Sequence, residues 1–267
     1  MIPQRHESIG ARHASSGPDA WTALRRFTTA RIALGRAGGS WRTRTLLEFR
    51  LAHAQARDAV GKEFDADLVE QQLQGIGVQT MRLSTEAPSR ALFLRRPDLG
   101  RRLSEASWQR LIENRSIWGN RHLAVIVSDG LSSLAVETQA APTLARLLPL
   151  LKKAGWTIYP VFIIPFARVK LQDEIGVLLE ARHSLALLGE RPGLGSPDSL
   201  GAYFTYQPGP EKTDADRNCV SNIRTQGLPP EQAAEKLAHL LIRSEEQRCG
   251  GIRLKEASTT ARNLPSI

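Results

Sequence analysis

Cysteine is scarce in this chain: Cys219 and Cys249 are the only two in 267 residues, and neither belongs to a CxxC pair. That excludes a disulfide-stapled scaffold and a cysteine-rich zinc site, and it predicts a reducing, cytoplasmic setting. The six histidines, His6, His13, His53, His122, His183 and His239, stand singly, without HxxxH or HxxE spacing, so no metal centre is expected. Nucleotide fingerprints are missing as well. No GxGxxG follows a strand-like run, no GxxxxGK[ST] occurs, and Ser132 and Ser133 lie in no GxSxG elbow. No apolar run approaches the roughly 18 residues that span a bilayer, and Met1–Ser16 lacks the apolar centre of a secretory signal. Neither a membrane span nor a leader is expected.

What the chain does have is arginine. Lys and Arg number 36 against 27 Asp and Glu, a net charge of +9, and 29 of those cations are Arg. Residues 1–121 hold 20 cations against 12 acids, whereas residues 122–267 hold 16 against 15. An Arg-rich half suits carboxylates and phosphates at an interface. It is also compatible with a solvated basic face, an acidic protein partner or nucleic acid. Aromatics make up only 6% and no recognition motif is present, which weighs against a nucleic-acid-binding protein.

Along the chain, residues 1–20 are polar and read as a loose arm. Residues 21–121 read as a mainly helical, Arg-rich region. A helix is expected over Thr43–Val60 from Leu47, Leu51 and Ala54, then a short one capped by Asp65 that carries Leu68, Val69 and Leu73. Val78–Ser84 reads as a strand and Leu99–Asn114 as another helix. The pattern changes at His122. Leu123–Val127 is a continuous apolar run, as in a strand buried on both faces, and Leu131–Ala154 has the length of a helix. Trp156–Ile164, Ser184–Leu188 and Ala202–Tyr206 read as further strands, Asp173–Ala181 and Pro230–Gln247 as helices. Alternation of this kind predicts an α/β fold: a Rossmann-like, doubly wound, mainly parallel sheet over residues 122–267.

Chemistry-bearing residues gather where strands end. Gly189–Leu200 is a Gly/Pro/Ser loop directly after an apolar run, which is where open α/β sheets bind ligands. Glu190 can accept hydrogen bonds from hydroxyls or amides there, or can pair with Arg191 or another Arg. Asp129 can orient a ligand hydroxyl or cap the following helix. Arg217–Ile223 concentrates hydrogen-bonding side chains just before an expected helix. Its Cys219 is either a thiol activated by Arg217 or a small buried side chain.

Seven segments in order resemble one family, the small subunit of ethanolamine ammonia-lyase, over roughly residues 22–257. They are Thr29–Arg36, Leu51–Val60, Leu94–Leu103, Ser128–Ser132, Asp173–Gly176, Gly189–Leu194 and Arg217–Ile223. The resemblance implies a required but non-catalytic subunit of an adenosylcobalamin-dependent carbon–nitrogen lyase that converts ethanolamine to acetaldehyde and ammonia. It implies a hetero-oligomer in which a large, barrel-shaped subunit holds the substrate and the radical chemistry, while this chain forms the other wall of the cobalamin site. Residues 21–121 would then dock the large subunit and residues 122–267 support the cofactor. The family's cobalamin contacts fall on Val169, on Glu190 before Arg191-Pro192-Gly193, and on Cys219 of the Arg217–Ile223 element. Backbone N–H groups around Gly193 and Gly195 suit the phosphate or an amide oxygen. No histidine here has Asp two residues before and Gly three after. The lower cobalt ligand is therefore expected to be the cofactor's own base, with the nucleotide folded beneath the corrin. Both the open cytoplasm and a protein-shelled bacterial microcompartment fit this assignment.

Overall fold

The computed structural model describes residues 20–28, 30–37 and 39–254. The expected arm at residues 1–20 lies, but for Ala20, outside the described residues. Two compact units are present, residues 1–55 and residues 56–267. The first has a 3-10 helix at Ala20–Phe27, a small hairpin of β1 (Arg36–Ala37) and β2 (Ser40–Trp41), and the start of α1 (Thr43–Gly61). The Thr45 hydroxyl donates to Leu34 O at 3.3 Å and ties α1 to the segment before the hairpin.

The second unit is α/β. In chain order it contains α2 (Ala66–Gly75), β3 (Thr80–Arg82), α3 (Arg90–Arg95), α4 (Glu105–Trp118) and β4 (Leu123–Ser128). There follow α5 (Ser133–Lys153), β5 (Val161–Ile163), α6 (Leu171–Leu178), β6 (His183–Gly189), β7 (Leu200–Tyr206), β8 (Arg217–Ile223) and α7 (Pro230–Gln247). Six strands make one mixed sheet in the order β3-β5-β4-β6-β7-β8. The first four are parallel and the last two run antiparallel.

Period-two alternation sorts the core. Leu123, Val125, Val127, Leu185 and Leu187 pack with α2, α5 and α7 on one face. Ala124, Ile126, Ala186 and Leu188 pack with α4 and α6 on the other. Each fully buried Leu or Ile contributes about 1.5–3 kcal/mol, and the strands read as unbroken apolar runs because both faces are covered. Caps set the helix starts: Asp65 accepts from Leu68 N at 2.8 Å, Ser89 from Leu92 N at 3.4 Å and Ser132 from Ala135 N at 3.3 Å.

Several expectations are corrected. The two compact units divide between residues 55 and 56, and β3 is part of the six-stranded sheet. The strand expected over Trp156–Ile164 shortens to Val161–Ile163. Pro160, which has no N–H to donate, precedes it. The helix expected over Leu99–Asn114 breaks into a 3-10 turn at Leu99–Arg101 and α4, which Ser104 starts by accepting from Ser107 N at 3.3 Å. The fourth strand, β7, is antiparallel. Arg217–Ile223, expected to lie just before a helix, is itself the edge strand β8.

Candidate functional site

From β4 the chain crosses through α5 to β5 on one side, then through α6 to β6 on the other, so β4 and β6 are neighbours at a reversal of strand order. Crevices form outside the carboxyl ends of strands at such a reversal. Two glycines close its floor. A Cβ on Gly189 would stand 2.0 Å from Ser132 O and 2.5 Å from Asp129 O, and one on Gly130 (φ +52°) would meet Gly189 O at 2.5 Å. Without side chains the strand ends touch, and Leu131 N donates to Gly189 O at 2.9 Å.

Above that floor lies a cavity of ≈ 430 Å³, lined by Gly130 and Leu131 after β4, Ala167, Arg168 and Val169 after β5, Leu188–Arg191 at the end of β6, and Tyr203 of β7. The middle loop is pinned from below. Asp129 is fully buried, its Oδ1 accepting from Phe166 N at 2.7 Å and from the Ser128 hydroxyl at 3.0 Å, and its Oδ2 pairing with Arg90. The Ser128 hydroxyl in turn accepts from Ala167 N at 2.9 Å. These contacts hold Phe166 in the left-handed region at φ +63°, which costs on the order of 1–3 kcal/mol for a non-glycine residue. Burial pushes the Asp129 carboxyl above its ordinary pKa, against the opposing pull of the Phe166 amide and of Arg90. Asp129 therefore serves neither as a free ligand group nor as the cap of α5, which is Ser132.

Val169 and Glu190 line this one cavity. Glu190 Oε2 accepts from the Ser199 hydroxyl at 2.6 Å and from Asn222 N at 3.2 Å, and Glu190 N donates to Ser199 O at 2.9 Å. Among the described residues it forms no ion pair, with Arg191 or any other cation, and no donor reaches Oε1. A half-buried carboxylate held by two donors, with one oxygen open on a cavity, is equipped to accept from a ligand.

Cys219 sits one strand further out, opposite Tyr203 in the β7–β8 register, and is exposed, not the small buried side chain expected. Its cross-strand neighbour Tyr203 lines the cavity, whereas Cys219 itself does not. Loss of hydration and the nearby Glu190 charge push its thiol up to about 11, so near pH 7 it is a thiol and not a thiolate. The expected activation by Arg217 fails because that guanidinium is spent on Asp173, at 2.8 and 2.9 Å. Burial also raises the Tyr203 hydroxyl pKa. The amides near Gly193 are not on the cavity. Gly193 N donates to Ser196 O at 3.3 Å in a local turn, and the lining stops at Arg191.

Sequence reasoning passed over Arg168. Its N–H donates to Gly100 O at 2.8 Å, its Nη2 to Phe93 O at 3.1 Å, and its guanidinium lies over the Phe93 ring at 4.0 Å. Burial first, then the neighbouring Arg101 and Arg90, lower its pKa, with Asp129 alone opposing. The signal available in the sequence was adjacency to Val169.

No helix among the described residues is long and apolar enough to cross a membrane. The family model of the ethanolamine ammonia-lyase light chain matches residues 18–255. Ethanolamine ammonia-lyase small subunits similar to this chain include one from Xanthomonas campestris, 48% identical over 239 residues, covering 89% of this chain and 88% of the relative. One from Pseudomonas aeruginosa is 47% identical over 243 residues, covering 91% and 89%. Another, from Azotobacter vinelandii, is 47% identical over 243 residues, covering 91% and 90%.

Proposed function

Because the chain belongs to the ethanolamine ammonia-lyase light-chain family, we propose that it is the small subunit of an adenosylcobalamin-dependent ethanolamine ammonia-lyase and that its Rossmann-like sheet carries part of the cobalamin site. The observation that carries this reading is the crossover cavity, where Val169 and an unpaired Glu190 meet at the carboxyl ends of β5 and β6. The residues present fit a large ligand rich in amides and hydroxyls. Glu190 Oε1 is open to a donor, Val169 offers apolar contact, and Arg168 and Arg191 offer cations. At ≈ 430 Å³ the cavity holds one edge of a corrinoid, so a second protein surface has to cover the rest. When bound, adenosylcobalamin supplies the homolytic cleavage that starts the radical rearrangement. The work of this chain is to bind and orient. The Gly130–Gly189 contact fixes the strand ends, Asp129 and Ser128 fix the loop that carries Arg168 and Val169, and Ser199 and Asn222 fix Glu190.

The catalytic partner in this reading is the large subunit, docked by residues 21–121, with acidic and apolar complementarity and no role for nucleic acid. Its setting is the cytoplasm or a microcompartment within it. Mixed with the large subunit and adenosylcobalamin, the chain is expected to restore ammonia release from ethanolamine, and alone to give none. In the intact complex Glu190→Ala is expected to weaken cofactor affinity by about 10- to 150-fold, the value of hydrogen bonds to a charged group. Full affinity in an assembled E190A complex would remove Glu190 from the site.

A further inference from the structure

We infer that Arg168 is the anion-binding residue of the crossover cavity and that the anion it takes is a phosphate ester. The identity of that ester rests on the cobalamin reading, in which it is the phosphodiester of the cofactor's nucleotide tail.

The case begins with charge that the fold leaves uncompensated. Arg90, next to Arg168, is consumed by Asp129, by Gly130 O at 2.8 Å and by Val60 O at 2.9 Å. Arg168 has no such partner. Among the described residues it forms no ion pair; Nη2 alone is bonded, Nε is shielded from solvent without an acceptor, and Nη1 has none. Retaining a half-buried cation in this state is costly unless something else supplies the negative charge. The side chain is nonetheless preorganised, stacked on Phe93 and tethered to the Phe93 carbonyl while its own backbone N–H is held by Gly100 O, so little rotamer freedom remains to be lost on binding.

The cavity walls select the anion. Arg168 and Arg191 both line it, and among the described residues the only carboxylate there is Glu190. Two guanidiniums suit a phosphate oxygen set better than a lone carboxylate. Glu190 at the same time repels a bare anion and accepts from hydroxyl or amide donors. A ligand satisfying both walls carries a phosphate and hydrogen-bond donors in one molecule, which describes an ester and not inorganic phosphate. The expected phosphate contact at the Gly193 and Gly195 amides is thereby moved to a side chain two strand ends away.

The test uses the complex with the large subunit and two corrinoids that differ in the relevant group, cobinamide and cobinamide phosphate, with affinities measured by equilibrium dialysis. The wild-type complex is expected to prefer the phosphate-bearing ligand by about 10- to 150-fold. Arg168→Gln should bring that preference close to one, while Arg168→Lys, which keeps the charge but loses the planar fork, should retain part of it. Co-purification of both subunits establishes that each variant is assembled. If either assembled variant keeps the full wild-type preference, the inference is overturned. If neither corrinoid binds the wild-type complex, the cobalamin reading fails, and glycerol 3-phosphate labelled with phosphorus-32, a phosphate ester that carries hydroxyl donors, decides the anion site separately. Retention that depends on Arg168 then supports the site, and equal retention by wild type and R168Q, zero included, overturns it.

Discussion

Between Trp21 and Leu51, eight large apolar side chains are exposed, Phe27 at 72% and Leu51 at 60% among them, while of the described residues in 20–55 only Thr45 and Ala52 are buried. From Ala56 onward the balance inverts, with two continuous apolar clusters filling both faces of a six-stranded sheet. The N-terminal unit, residues 1–55, also holds nine Arg against three acids, Glu7, Asp19 and Glu48. An ordering cost of about 1–2 kcal/mol per residue needs burial to offset it, and this segment has almost none of its own. Its apolar hollow of ≈ 440 Å³, lined by Leu34, Trp41, Leu46 and Phe49 among others, is a surface of the kind that proteins reserve for partners. The lesson is that one chain contains two regimes: the sheet is stabilised from within, and the N-terminal unit buries little of its own apolar surface.

The largest expected effect breaks the sheet side alone. Gly189→Ala forces a Cβ into Ser132 O at 2.0 Å and should destabilise the protein by about 3–5 kcal/mol in thermal unfolding. Gly195→Ala, with nothing within 4 Å, should change little, and equal melting of the two variants would contradict the close contact at the crossover. Acid should bring out the same side next. Burial holds the His183 imidazole, between Trp156 and Tyr206 and bonded to Ser244 Oγ at 3.1 Å, down at about 3. Between pH 6.5 and about 3 the unfolded chain binds this proton and the folded chain does not. Stability is therefore full above pH 6.5 and falls as pH falls, by about 1.4 kcal/mol per unit, or about 3 kcal/mol by pH 4.5. His183→Gln should flatten that slope in denaturant titrations at several pH values; an unaltered slope would assign the acid sensitivity to other groups.

The N-terminal side should answer to a different assay. Trp41→Ser is expected to leave the unfolding of the isolated chain within about 0.5 kcal/mol, since the indole is 57% exposed. It should weaken binding of the large subunit by about 2 kcal/mol, roughly 30-fold, as loss of an aromatic anchor does. A drop in stability with unchanged partner binding would reverse the comparison. The smallest effect sharpens it. If apolar contact dominates over the Arg charges, raising salt to about 0.5 M should weaken the wild-type pair by less than about tenfold, because only the exposed charges are screened. Release of the partner by salt alone would make the arginines the principal contact.

Much of the fold was legible in the sequence because both faces of β4 and β6 are covered and leave unbroken apolar runs such as Leu123–Val127. Residues Leu123–Ser128 and His183–Gly189 form strands within a residue or two of expectation. The edge strand β8 was not legible. Of its seven residues only Val220 and Ile223 are buried, so its polar outer positions resemble a loop. Glu190 and Val169 stand together because both follow parallel strands, a placement that strand order alone provides. What single positions do was hidden by contacts far apart in sequence. Asp129 reads as a helix cap until Arg90, 39 residues away, and Phe166, 37 away, take its carboxylate. Arg168 reads as one arginine among many until the structure shows that, among the described residues, it forms no ion pair.

The left-handed turn at Phe166 also bears on the order in which the molecule assembles. Its unfavourable backbone is offset only once Asp129 from the end of β4 is in place. The residue two further on needs Gly100 and Phe93, some 70 residues earlier in the chain. A loop whose local conformation is uphill, and whose principal supporting contacts are distant, gains little by forming early, since loop-closure entropy has to be spent before those contacts act. The Phe166–Val169 segment is thus expected to form late, on a framework already assembled from β4, β5 and β6, and substitutions there should quicken unfolding while leaving the refolding rate almost untouched.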